Sequence, residues 1–146
     1  MRISDIIRSK GRSVVTVPPD TDVRTLLSVL AENRIGATVV SADGNTIDGI
    51  VSERDIVRAL AERGAAVLSE PVSGIMTAEV QTCAPHAHID ELAEAMTVGR
   101  FRHMPVVSDD GRLDGIVSIG DVVKIRITEL EVERDSLSSY IRTAAT

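Results

Sequence analysis

A serine followed three residues later by an aspartate, at the end of a short apolar run, occurs twice in this chain. Asp48-Gly49-Ile50-Val51-Ser52 is followed by Asp55, and Asp114-Gly115-Ile116-Val117-Ser118 is followed by Asp121. A helix starting at such a serine offers unpaired N–H groups and the positive end of its dipole, which suit a phosphate. The adjacent carboxylate can accept hydrogen bonds from sugar hydroxyls. Serine plus aspartate at a strand-to-helix junction is therefore chemistry for a ribose-phosphate. The same spacing is also that of a capping box, in which the acid reaches back to a free amide. The two readings are compatible, and both stay open on the residues alone.

The motifs belong to a longer repeat. At the same offset of 66, Thr16 answers to Thr82, Pro19 to Pro85, Leu26 to Leu92, Arg34 to Arg100 and Val57 to Val123. A second echo opens each copy, Ile3-Ser4-Asp5-Ile6-Ile7 against Val72-Ser73-Gly74-Ile75-Met76. A duplicated polar motif at the same point of two structural units implies two related sites, or one site built symmetrically between them.

At 146 residues, two units of about 60 residues would each be marginal alone and are expected to share a core. The predicted division is 1–64 for the first unit, 65–71 for the connection, 72–124 for the second unit and 125–146 for a C-terminal helical extension. Phe101 and Tyr140 are the only aromatics of a chain that is 43% hydrophobic, so a planar ligand would be gripped by aliphatic side chains. The net charge of −6 argues against a general nucleic-acid binder, which needs a dominant basic face. Cys83 is the single cysteine, read as a small buried apolar residue, so neither a disulfide framework nor a thiolate metal site is expected. His86 and His88 have no third histidine or thiolate near them, and no metal is expected there either. Charges at Arg2, Asp5, Arg8 and Lys10 interrupt the start of the chain, and no uncharged run approaches a membrane span. The expectation is a cytoplasmic protein without membrane or nucleic-acid partners.

The elements that must position the motifs follow from periodicity. Ile3 to Arg8 reads as a lead-in helix and Val14 to Val17 as a short buried strand stopped by Pro18-Pro19. A helix capped by Asp20 or Thr21 carries Val23, Leu26, Leu27 and Leu30 on one face and ends near Asn33. Ala37 to Val40 and Ile47 to Val51 are strand-like runs around Asp43-Gly44, and a second helix runs from Ser52 to Gly64. The β-α-β-β-α order repeats with a strand at Val80 to Cys83, a helix from Ile89 to Val98, strands at Met104 to Val107 and Leu113 to Val117, and a helix from Ser118 running to about Arg142. In that last helix Val123, Ile127, Leu130, Arg134, Leu137 and Ile141 are spaced 4, 3, 4, 3 and 4 apart, which predicts packing against a partner helix. The competing arrangement folds this stripe back onto its own core. Glu129, Glu131, Glu133 and Asp135 read as a solvated face.

Gly49-Ile50-Val51-Ser52-Glu53-Arg54-Asp55 and Gly115-Ile116-Val117-Ser118-Ile119-Gly120-Asp121, with Arg100-Phe101-Arg102-His103-Met104-Pro105-Val106-Val107, resemble a tandem cystathionine-beta-synthase-type (CBS) domain pair, or Bateman module, over about Ile3 to Lys124. The resemblance implies an α/β (α+β) fold of two β-α-β-β-α units packed about a pseudo-two-fold axis, with clefts for adenine nucleotides. It implies that Ser52, Asp55, Ser118 and Asp121 contact ribose and phosphate, and that Thr16 and Thr82 lie near the nucleobase. Ile35, Gly36, Ala37, Met104 and Pro105 would be apolar walls. Arg102 and His103 resemble the phosphate-facing pair of stand-alone members, and an Arg beside phosphate has the right bidentate geometry. The duller role for His103 is to satisfy a strand-end carbonyl. The first unit has Gly36-Ala37 in place of Arg102-His103, and Arg54 answers to Gly120. One occupied site per chain is expected from this asymmetry.

The implied function is a regulatory or sensory module binding AMP, with ATP, ADP, NAD(H) or an S-adenosyl compound able to use the same adenosine contacts. Binding would change unit or subunit orientation in a homodimer and control a separate effector protein. The alternative is a non-enzymatic interaction scaffold with vestigial clefts. An enzyme is not expected, because the duplicated motifs supply no nucleophile–base pair and no Gly-rich phosphate loop.

Overall fold

Two lead-in segments cross between the repeats, and their exchange organises the chain. The computed structural model describes residues 1–145; Thr146, the last residue of the expected C-terminal extension, lies outside the described residues. The elements are α1 (Ile3–Lys10), β1 (Thr16–Val17), α2 (Val23–Asn33), β2 (Ala37–Val40), β3 (Gly49–Ser52), α3 (Glu53–Arg63), α4 (Ile89–Gly99), β4 (His103–Val107), β5 (Leu113–Ser118) and α5 (Ile119–Ala145), with 3-10 turns at Gly64–Ser69 and Val72–Gly74. Among the described residues the strands form two sheets. In one, β1 runs parallel to β2 and β2 antiparallel to β3; in the other, β4 and β5 are antiparallel.

The first lead-in, α1, buries Ile3, Ile6 and Ile7 with Ile89, Leu92, Met104, Val106 and Val117 of the second repeat. The second lead-in buries Val72, with Ile75 and Met76 packed alongside, against Val23, Leu26, Val40 and Val51 of the first repeat. Backbone hydrogen bonds repeat the exchange residue for residue. Ile3 and Ser4 donate to the carbonyls of Ala87 and Pro85, and Ile89 donates to Met1; Val72 and Ser73 donate to Thr21 and Pro19, and Val23 donates to Glu70. The pairing is reciprocal, as a two-fold relation between the halves requires.

Two expectations are corrected. The cap of α2 is Asp22, whose Oδ1 accepts the Thr25 amide at 2.7 Å, rather than Asp20 or Thr21. The strand expected at Val80 to Cys83 shrinks to one parallel bridge between Cys83 and Val106. In the first repeat the matching strand pairs Thr16 with Val39 and Val17 with Val40. Pro105 stands where Val39 does, and a proline has no N–H to give to a ladder.

α5 continues through Ala145, its first turns anchored by Val122 and Ile125 in the core of the second repeat and by an Arg126–Asp90 ion pair to α4. Beyond that anchor the expected stripe does not fold back. Ile127, Leu130, Leu137 and Ile141 are 52%, 63%, 59% and 58% exposed.

The motif glycines are where the lead-ins cross. A Cβ at Gly49 would stand 2.6 Å from Met76 Sδ and 2.9 Å from the Thr77 carbonyl oxygen, and a Cβ at Gly115 would meet the end of Ile7. The Thr77 carbonyl cannot retreat freely, because Thr77 and Ile50 exchange backbone hydrogen bonds of 2.8 and 3.0 Å. Gly49→Ala is therefore expected to lower unfolding free energy by about 1–3 kcal/mol, the scale of overpacking, read as a lower urea midpoint. An unchanged midpoint would mean that the crossing is not tightly clamped.

Candidate functional site

The two Ser-x-x-Asp motifs both form closed capping boxes. Ser52 Oγ accepts the Asp55 amide at 3.3 Å, and Asp55 Oδ2 accepts the Ser52 amide and hydroxyl at 2.9 and 3.0 Å. Ser118 and Asp121 repeat this at 3.2, 2.8 and 3.0 Å. The first amide of each helix is held as well, Glu53 N–H by the Gly36 carbonyl at 2.9 Å and Ile119 N–H by the Arg102 carbonyl at 2.7 Å. Local sequence thus sets each strand–serine–helix junction, and the sheets then bring the two junctions together.

Between them lies a cleft of about 760 Å³. The first repeat contributes Gly36, Ala37, Ile50, Ser52, Arg54, Asp55 and Arg58; the second contributes Arg100, Arg102, His103, Ser118, Ile119 and Gly120; and the segment leading into the second repeat contributes Thr77, Glu79, Val80 and Gln81. Four guanidinium groups and a histidine face a space that also holds Glu53, Asp55 and Glu79. In a chain of net charge −6 this is a local concentration of cations. It can hold an anion between arginines while a carboxylate takes hydroxyl hydrogen bonds.

His103 is half-buried at the join, its Cε1 3.6 Å from where a Cβ at Gly36 would be. Burial and the Lys10 ammonium push its pKa below the ordinary 6.5, Arg102 adds to that, and Glu53 and Asp121 pull the other way. The imidazole is accordingly neutral at pH 7.

Of the residues singled out from sequence, Gly36, Ala37, Ser52, Arg54, Asp55, Arg102, His103 and Ser118 converge on this cleft. The others lie elsewhere. Thr16 sits half-buried in β1, paired with Val39, and Ile35 packs on the first repeat's core. Pro105 is buried in β4, its carbonyl accepting the Cys83 amide at 3.1 Å. Thr82 and Met104 line a separate 450 Å³ cavity with Ile3, His86 and Glu91. Cys83 also lines that cavity, and burial pushes its thiol up to about 11. Asp121 is outside the cleft lining, and its Oδ2, already held by the Ser118 cap, also accepts Lys10 Nζ at 2.7 Å. Burial raises the Asp121 pKa, and the hydrogen bonds and charge of Lys10 and Ser118 more than offset it, leaving it below 3.8.

The sequence reading missed Arg58, Arg100, Thr77, Glu79 and Gln81 in the cleft and Lys10 at the second motif, and Phe101 in the lining corrects the expectation that only aliphatic side chains would meet a planar ligand. Arg58 lies one helical turn beyond Arg54 and could have been found by that spacing. Arg100 follows α4 with a left-handed φ of 55°, and its repeat partner Arg34 has φ 54°. Glu79 and Lys10 come to the same relative place when the lead-in echoes are aligned, a signal present in the sequence.

No group of three His, Cys, Asp or Glu side chains suited to a metal ion occurs among the described residues, and no helix there is long and apolar enough to cross a membrane. The CBS domain family matches residues 3–62 and again 72–127. A mitochondrial CBS domain-containing protein of Arabidopsis thaliana is 34% identical over 96% of this chain and 71% of its own length. The crystal structure of a CBS-domain containing protein from Agrobacterium tumefaciens superposes with a TM-score of 0.82 at 49% identity, covering 86% of this chain and 99% of that one. A CBS domain protein from Pyrobaculum aerophilum, solved in complex with AMP, superposes with a TM-score of 0.73 at 33% identity over 83% of this chain and 89% of its own. With both repeats matched in full and the exchanged lead-ins closing one two-fold body, the chain belongs to the CBS domain family, as a tandem pair.

Proposed function

We propose that this CBS pair is a regulatory module that binds an adenine nucleotide, AMP being the simplest ligand, in the cleft between its repeats. The observation that carries the reading is the convergence of Ser52 and Asp55 from one repeat with Arg102 and His103 from the other on a single cleft of about 760 Å³. Asp55 Oδ1 takes no hydrogen bond among the described residues, so it can accept the ribose hydroxyls without disturbing the Oδ2 cap. Arg102, His103 and Arg54 then meet the phosphate. Gly36 and Ala37 leave room beside it where side chains in the other repeat fill the equivalent place. The Pyrobaculum relative's structure in complex with AMP supports the choice of ligand.

Because the ligand touches both repeats, its affinity depends on their relative orientation, and binding biases that orientation. The exposed stripe on α5 offers the route outward. A second copy of the chain is its proposed occupant, since Ile127, Leu130, Leu137 and Ile141 recur with the 4-3 spacing of a paired helix and stand more than half exposed. Either that homodimer or a separate effector held by it would receive the signal.

Calorimetric titration of AMP, ATP and NADH, with a guanine nucleotide as control, tests the ligand. Asp55→Ala is expected to weaken AMP binding by about 1.5–3 kcal/mol, the cost of hydrogen bonds to a charged group, in a protein that still melts cooperatively. Unchanged affinity would remove Asp55 from the ribose.

Binding is also expected to take up a proton at His103. The free imidazole titrates below 6.5, and a neighbouring phosphate raises its pKa by favouring the imidazolium. Affinity should therefore strengthen as pH falls from 8 to about 6.5, staying above the second phosphate ionisation at about 6, by at most about tenfold per unit. Titrations in two buffers of different ionisation heat read the uptake, and His103→Gln should abolish it.

Leu130→Arg should shift the chain from dimer towards monomer in sedimentation velocity, raising the dimer dissociation constant at least about tenfold, or ~1.4 kcal/mol. A monomeric parent protein would leave the stripe to a different partner.

A further inference from the structure

One glycine of the second repeat has no conformational reason to be there. Gly99 closes α4 and is not among the residues of positive φ, so its backbone is open to any side chain, and glycine is a poor helix former. What it provides is space. A Cβ at Gly99 would stand 2.6 Å from Phe101 Cδ1 and closer still to Cε1. Arg100, left-handed at φ 55°, turns the chain so that the ring of Phe101 folds back onto Gly99. The first repeat makes the same turn at Arg34, between Asn33 and Ile35. There Asn33 Nδ2 donates to the Val29 carbonyl at 2.8 Å, and Ile35 packs on the core. The turn is repeated, and the pair of side chains around it is exchanged.

We propose that Phe101 is the platform on which the base of the bound nucleotide stacks, and that Gly99 is the seat that holds the ring in place. With one edge on Gly99 and part of its surface packed on the second repeat's core, the half-buried ring presents the remainder to the cleft. It is the only phenylalanine of a chain without tryptophan, and Tyr140, 72% exposed on α5, is not in the lining. Every base has a π face, and an aromatic side chain beneath it contributes affinity whatever contacts its edges make. The backbone beside the ring is fixed, because the Arg102 carbonyl accepts the Ile119 amide at 2.7 Å. Ring and guanidinium leave the chain at neighbouring residues, so Phe101 can take the base and Arg102 the phosphate of one nucleotide whose ribose reaches Asp55. Ile50 and Val80, in the same lining, add aliphatic contact.

The platform presupposes the nucleotide reading above, yet the two fail differently. Phe101→Leu, which stays apolar, is expected to weaken AMP binding about tenfold by calorimetry, and Phe101→Tyr to keep it within about twofold of the parent. Phe101→Trp gives the chain a single tryptophan. AMP is expected to quench its fluorescence with the dissociation constant that calorimetry measures for that variant, a signature that a merely structural ring would not show. Gly99→Ala, which pushes the ring off its seat, should weaken AMP binding on its own and add little to Phe101→Leu, where the ring is already gone. Thermal melts check the fold of each variant, and Phe101→Met serves if the Leu protein does not melt cooperatively. Unchanged AMP affinity in the Leu or Met protein, or a tryptophan left unquenched at saturating AMP, overturns the platform and leaves the nucleotide reading standing. A loss in Phe101→Tyr as deep as in Phe101→Leu assigns the ring to packing and overturns it too. No AMP binding by the parent protein overturns the nucleotide reading, and the platform with it.

Discussion

Each half of this chain is completed by the segment that introduces the other. Ile3, Ile6 and Ile7 fill the core beside β5, and Val72, Ile75 and Met76 fill the core beside β3. The backbone bonds of Ile3 to Ala87 and Val72 to Thr21 make that exchange a matter of register as well as of apolar burial. Two units of this size are each marginal on their own, and exchanging lead-ins couples their stabilities. Everything that follows, including the cleft, depends on this crossing.

The crossing explains why the motif carries glycine. Gly49 and Gly115 lie where the lead-in of the other half passes directly over the strand, with no space for a Cβ. It also explains how a cleft arises from two helix starts. With the halves related reciprocally, the α3 and α5 N-termini approach each other, and His103 reaches across to Gly36. The capping boxes at Ser52 and Ser118 keep the helix starts rigid whatever binds between them. Capping and binding use different oxygens of Asp55, so one residue serves both the fold and the proposed site.

Symmetry of backbone and asymmetry of side chain divide the labour. The two halves share the motif hairpin, the Ser-x-x-Asp capping boxes and even the left-handed arginine after the first long helix. They differ where charge is placed: Arg102 and His103 against Gly36 and Ala37, Arg54 against Gly120, and Lys10 against Glu79. A duplicated fold thereby presents one cleft whose two walls differ in charge and in side-chain size.

Much of this was written in the linear pattern. The 66-residue offset, the 3.6-residue spacing of Val23, Leu26 and Leu30, and the Ser-x-x-Asp spacing are local signals, so helices, strands and capping boxes were legible from them. The strand at Val80 to Cys83 was overread because the pattern of its own residues is strand-like, while its loss is decided by Pro105 on the neighbouring strand. Likewise Thr82, expected near a nucleobase, and Met104, expected in an apolar wall, line the smaller cavity instead of the main cleft. Sequence by itself determined which segments form elements and which residues are chemically able to meet a ribose-phosphate, because those properties reside in short-range spacing. Only the tertiary structure decided which motif aspartate carries a lysine. The ammonium of Lys10 and the carboxylate of Asp121 are 111 residues apart in the chain, and nothing but the packing of α1 on the far half brings them to 2.7 Å.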